Sequence, residues 1–146
     1  MKGRLFSRAR LRRLGFAALV AGLGSGVCLA NDRYWATRTP TSKILGHARL
    51  FDTAIADIWF VAFPFYLLAL LVIVSRMRII AVTLGFAALA TVTILEYRWD
   101  HTSTSSTAAL AYLAAFYYGI PLVALTFVLD ECARALQGRL RRRQYS

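Results

Sequence analysis

Six residues able to ligate a metal or move a proton fall in two stretches: His47, Asp52 and Asp57, then Glu96, Asp100 and His101. Imidazole and carboxylate together suit zinc or copper. Their spacing matches no known ligand pattern, and Arg49 and Arg98 offer the acids ordinary salt-bridge partners. The expectation is a rim of paired charges with no metal and no cofactor. Gly22, Gly24 and Gly26 lack the following Lys-Ser/Thr of a phosphate loop. Ser25 lacks the G-x-S-x-G setting of a nucleophile elbow. The residues form no catalytic set, and the chain is expected not to be an enzyme.

Composition sets the frame for these residues. The chain has 146 residues, 58% of them hydrophobic and 17% charged, with 18 Lys+Arg against 7 Asp+Glu and a net charge of +11. A soluble domain is roughly a quarter charged. Such apolar content excludes a disordered basic tail, and two cysteines exclude a disulfide scaffold. The length fits one domain, residues 1–146.

Four apolar runs approach the ~20 residues that a bilayer span needs. They are Leu14 to Ala30, Ile58 to Ser75, Ile79 to Leu95 and Ala108 to Leu129. Core helices of a soluble bundle would carry a polar face at 3.6-residue spacing, and these runs are apolar all round. The predicted fold class is all-α, a polytopic integral membrane protein with four transmembrane helices.

Basic residues set the threading. Lys2, Arg4, Arg8, Arg10, Arg12, Arg13, Arg76, Arg78, Arg134, Arg139, Arg141, Arg142 and Arg143 share one side of the predicted topology. Asp130 and Glu131 also fall there, and the acids and bases of the other side cancel, so the whole +11 excess lies on one face. The positive-inside rule then puts both termini in the cytoplasm. Every basic residue except Lys2 and Lys43 is arginine, a composition that looks bacterial, so the expected site is a bacterial inner membrane. Anionic lipid accounts for the flanking arginines, each worth ~1 kcal/mol near the surface, and no nucleic-acid partner is expected.

Residues 1–30 have the basic and apolar regions of a signal peptide, with a possible cleavage point after Ala30. The apolar run is longer than a typical signal core, and retaining it makes the span number even. A retained span is therefore expected.

With the spans placed, Cys28 and Cys132 fall on opposite faces of a ~30 Å apolar core, beyond disulfide reach. No ionisable residue lies at the centre of a span, as ion-coupled transport would need. Small multidrug transporters also have four short helices, but they rely on a glutamate in the first, and here that run has no acid.

Other patterns concern packing and contact. Ala18, Gly22, Gly26 and Ala30 make a smooth stripe, and Ala111, Ala115 and Gly119 repeat the spacing in the fourth run. Small residues let membrane helices approach closely, so Gly22, Gly26, Ala115 and Gly119 are expected packing positions, with a homo-oligomer as a further use. Pro64 and Pro121 interrupt helix hydrogen bonds, and Tyr66, Tyr117 and Tyr118 nearby are expected to seek partners inside the bundle.

In the outer loop, residues 31–57, Ile44, Ala48, Phe51, Ile55 and Ile58 recur at helical spacing and predict an amphipathic helix leading into the second span. Ser and Thr of residues 102–107 are expected to cap the fourth helix. All three tryptophans, Trp35, Trp59 and Trp99, fall near outer helix ends. An aromatic belt explains that placement, and a docking patch is the sharper expectation. Trp35, Asp57, Trp59, Glu96, Trp99 and Asp100 are its candidate contact residues. The expected activity is protein–protein contact in the bilayer and at its outer rim. An immunity protein against a membrane-acting toxin and an accessory subunit of a membrane complex both have this form. An oligomeric transporter or channel for an uncharged or hydrophobic substrate is the alternative.

Overall fold

A computed structural model describes residues 8–36, 38, 51–75, 77–102 and 111–144. Its elements are four helices: α1 (Arg8–Ala36), α2 (Phe51–Ser75), α3 (Ile79–Thr102) and α4 (Ala111–Gln144). The all-α class expected from the sequence is what is found. Two of the helices are long and apolar enough to cross a membrane by length and composition, over Arg8–Trp35 and Ile79–Trp99. Val61–Ser75 is a shorter apolar stretch.

The predicted surface helix falls mostly outside the described residues. Its described part, residues 51–58, is continuous with α2. The capping residues predicted at 103–107 also lie outside the described set. Pro64 and Pro121 both sit inside unbroken helices.

Around the bundle, α1 packs on α2 and α3, and α4 packs on α2 and α3. α1 and α4 occupy opposite corners. The core is built from Phe65, Leu68, Val82, Val123 and Cys28, all fully buried. The Phe65 and Phe86 rings meet tilted at 58°, with centroids 5.2 Å apart.

The helix face that α1 gives the core holds Ala17, Val20, Gly24 and Cys28. Gly24 lies two residues from both Gly22 and Gly26, a rotation of about 200° on a helix. The expected stripe at Gly22 and Gly26 thus looks away from the bundle, and a Cβ at either would meet nothing within 4 Å. At Gly24 a Cβ would collide with Phe65, at Gly119 with Pro64, and at Gly85 with Thr126. Close approach is made there, at one position in each of three helix pairs, α1–α2, α2–α4 and α3–α4.

Hydroxyls within the apolar helices mostly bond to their own backbone. Ser25, Ser75, Thr83, Thr91 and Thr126 each donate to the carbonyl four residues earlier. This local bond satisfies the hydroxyl without a cross-helix partner. The outside of the bundle is correspondingly apolar: Leu19, Leu23, Leu70, Val74, Ile80, Leu84, Leu125 and Leu129 are all exposed.

Candidate functional site

Polar side chains gather at the two ends of the bundle. Between them, one cross-helix pair stands out. Ser25 donates to the Ala21 carbonyl at 3.0 Å and lies 2.8 Å from the Tyr66 hydroxyl. A serine hydroxyl has one proton, so Tyr66 is the donor to Ser25. Of the three tyrosines expected to find partners inside, only Tyr66 does so. Tyr117 and Tyr118 are exposed on the outer surface of α4.

The first end holds the short connection from α2 to α3. Here Asp130 of α4 is only 2% exposed. It accepts from Arg78 Nε at 2.6 Å, from the Arg78 backbone N–H at 3.3 Å and from an Arg134 guanidinium nitrogen at 2.8 Å. Arg134 also donates to the Ser75 carbonyl, the end of α2, at 3.3 Å, and pairs with Glu131 at 2.7 Å. Arg78 reaches Gln137 at 3.2 Å. Burial alone would push the Asp130 carboxyl up; the hydrogen bonds from Arg78 and Arg134 and the charge of Arg134 outweigh it and hold the group below the usual carboxylate range. These bonds tie α2, α3 and α4 together, while Arg134 Nε is buried with no hydrogen-bond partner among the described residues.

The opposite end carries the tryptophans. Trp59 and Trp99 are 62% and 74% exposed. The Trp59 ring lies 5.2 Å from that of Tyr66, which links it to the Ser25 bond. Trp35 is half-buried, with Tyr34 edge-on at 5.3 Å. The Arg38 guanidinium sits 4.1 Å above the Tyr34 ring, and the Arg38 N–H closes a turn on the Trp35 carbonyl at 3.0 Å. Glu96 projects from α3 with its Oε1 buried and accepting no hydrogen bond among the described residues. α1 and α3 pack on each other.

Of the expected contact residues, Trp35, Trp59, Glu96 and Trp99 are thus brought to one end of the bundle. The side chains of Asp57, Asp100 and Ala115 lie outside the described set, as do His47 and His101. Among the described residues no three His, Cys, Asp or Glu side chains converge as metal ligands. What this end offers chemically is exposed aromatic rings beside a carboxylate, a surface suited to contact.

Sequence reasoning missed Asp130 and Gly24. Asp130 and Arg134 stand at the i, i+4 spacing of a helix ion pair, a signal that was legible. The bond from Asp130 to Arg78 crosses between helices and left no mark in spacing. No protein-family model, curated protein or solved structure matches this chain.

Proposed function

We propose that the chain is a four-span protein of a bacterial inner membrane, with both termini cytoplasmic, acting by protein–protein contact without catalysis. The apolar exterior supports the membrane setting, because a soluble bundle does not expose apolar surface on this scale. The burial of Val20, Gly24 and Cys28 against the other helices supports α1 as a retained span, since its removal would uncover Phe65.

The observation that carries the contact reading is the asymmetry of the two ends. The acid at the basic end is sealed by arginines. At the other end Trp59 and Trp99 are exposed; each end also holds one buried polar atom with no hydrogen bond among the described residues, Arg134 Nε and Glu96 Oε1, so the exposed rings make the difference. Tryptophan is the residue most enriched at binding hot spots. An immunity protein facing a membrane-acting toxin, or an accessory subunit of a larger membrane complex, would use such a surface.

Affinity purification in mild detergent tests the reading. The expected result is a stoichiometric protein partner that Trp59→Ala and Trp99→Ala release while helical content is unchanged. Recovery of the chain alone, with solute flux in liposomes, would overturn it in favour of a transporter.

A further inference from the structure

Tyr117 and Tyr118 of α4 are 74% and 64% exposed on the outside of the bundle. Tyrosine favours the membrane interface, where its hydroxyl stays wet. These two stand deeper. Tyr117 is twelve residues from Leu129, where the apolar run of α4 ends, a rise of ~18 Å into a ~30 Å core. A helical side chain leans over the preceding turn, ~5.4 Å, so both hydroxyls remain inside that core. Neither makes a hydrogen bond among the described residues. Pro121, also exposed, follows one turn later. It has no N–H, so the Tyr117 carbonyl loses its helix bond at the same place. Hydrocarbon offers a partner to neither group.

Helix α3 holds the complement. Thr91 is exposed and donates its proton to the Ala87 carbonyl at 2.9 Å, so what its Oγ1 still offers is an acceptor. Contacts between α3 and α4 fix the relative heights. A Cβ at Gly85 would meet Thr126, and one at Gly119 would meet Leu89. These pairs run antiparallel, and their register sets Thr91 level with residues 117–120. Thr83 and Ala87 share the exposed face of Thr91, and Pro121 and Ala124 share that of Tyr117, at spacings of three or four residues. Apart from the tyrosine ring both faces are small, which lets helices approach.

We propose that α4 of one copy docks on α3 of a second copy within the bilayer, with the Tyr117 hydroxyl donating to Thr91 Oγ1. This rests on the membrane reading. Copies threaded alike are related by rotation about the membrane normal, which leaves every residue at its own height. A donor and an acceptor at one height can therefore meet between copies, and within one chain they form no bond. That selects a second copy over lipid, whose chains accept no hydrogen bond. The contact is head-to-tail, using different surfaces on the two copies. The exposed Gly22 and Gly26 face of α1 takes no part in it.

The full chain, labelled at exposed Cys132 with a donor or an acceptor dye, is reconstituted in liposomes of phosphatidylcholine and phosphatidylglycerol. Energy transfer is followed as lipid is added, and transfer above that of randomly placed monomers is expected. Tyr117→Phe and Thr91→Val each raise the dissociation constant about threefold or more, the worth of a hydrogen bond between membrane helices. The double variant is no weaker than either single one, because one bond joins the two residues. Ala124→Leu, at an exposed position, abolishes transfer while thermal unfolding is unchanged. With p-benzoylphenylalanine at position 117, ultraviolet light links a second copy at α3, around Thr91. Monomers at every dilution overturn the proposal. So do additive effects of Tyr117→Phe and Thr91→Val, or transfer that Gly22→Leu/Gly26→Leu abolishes and Tyr117→Phe leaves unmoved. A photo-crosslink that maps to α4 of the second copy, or in native membranes to a different protein alone, also overturns it. Each of these leaves the membrane reading standing. Recovery of the chain outside the liposomes, in the aqueous fraction, overturns that reading and this proposal with it.

Discussion

Gly24 of α1 receives the side chain of Phe65 of α2, with no room between them for a Cβ atom. The contact sits in the fully buried core, where the Phe65 ring also meets Phe86 at a tilt. Gly24→Ala is expected to force the helices apart and lower stability by about 1–3 kcal/mol. Gly22→Ala, facing open space, stays within about 0.5 kcal/mol of the parent. Thermal unfolding in detergent of both variants compares them directly, and equal effects would refute the assignment of the packing face.

Loss of the buried carboxylate at the basic end has a different signature. Asp130→Asn removes the charge that two arginines hold. Hydrogen bonds to a charged group contribute about 1.5–3 kcal/mol each, with the lower figure apt here because both arginines are partly exposed to solvent. A loss of about 2 kcal/mol is expected, read from unfolding in detergent.

The pH dependence of the same group follows from its depressed ionisation. Folding is favoured by Asp130 wherever the unfolded carboxyl, near pH ~3.9, is already ionised. That contribution is complete above the unfolded value and fades as pH falls through the lower folded value. Acid titration of the unfolding transition should therefore show a drop that Asp130→Asn lacks. Parallel curves for the two proteins would remove Asp130 from the account.

The Ser25–Tyr66 pair predicts an order of effects. Tyr66→Phe leaves Ser25 bonded to the Ala21 carbonyl, so its cost is about 0.5 kcal/mol. Ser25→Ala strands the tyrosine hydroxyl in the bundle and costs about 1–2 kcal/mol. The reverse order in unfolding measurements would mean that Tyr66 finds another partner.

Thiol chemistry reports both packing and sidedness. Cys132 is exposed and Cys28 fully buried. A maleimide should label one site per folded chain and two after denaturation. With an impermeant reagent, the cytoplasmic placement proposed for α4's end predicts labelling in inverted membrane vesicles and none in intact cells.

Helix number and approximate bounds were legible because apolar runs broken by charges carry them directly. Leu14 to Ala30 lies within α1, and Ile79 to Leu95 within α3. The packing face was not legible in the same way. A GxxxG pair at Gly22 and Gly26 is the usual mark of close contact, yet the partner shape at Phe65 selects Gly24, on the other side of the helix. Small residues show where approach is possible, and only the neighbour shows where it occurs. The tryptophan end was legible from Trp35, Trp59 and Trp99 because amphipathic rings mark helix ends. The fate of Asp130 was not, because its main partner lies 52 residues away.

That separation bears on how the protein is made. Arg78, at the turn between α2 and α3, is synthesised well before the carboxylate that neutralises and holds it. Until the chain has grown past residue 130, the α2–α3 hairpin lacks its latch, and its arginine must stay in water. The Arg78–Asp130 bond is therefore one that can close only after residues of the fourth helix have been made.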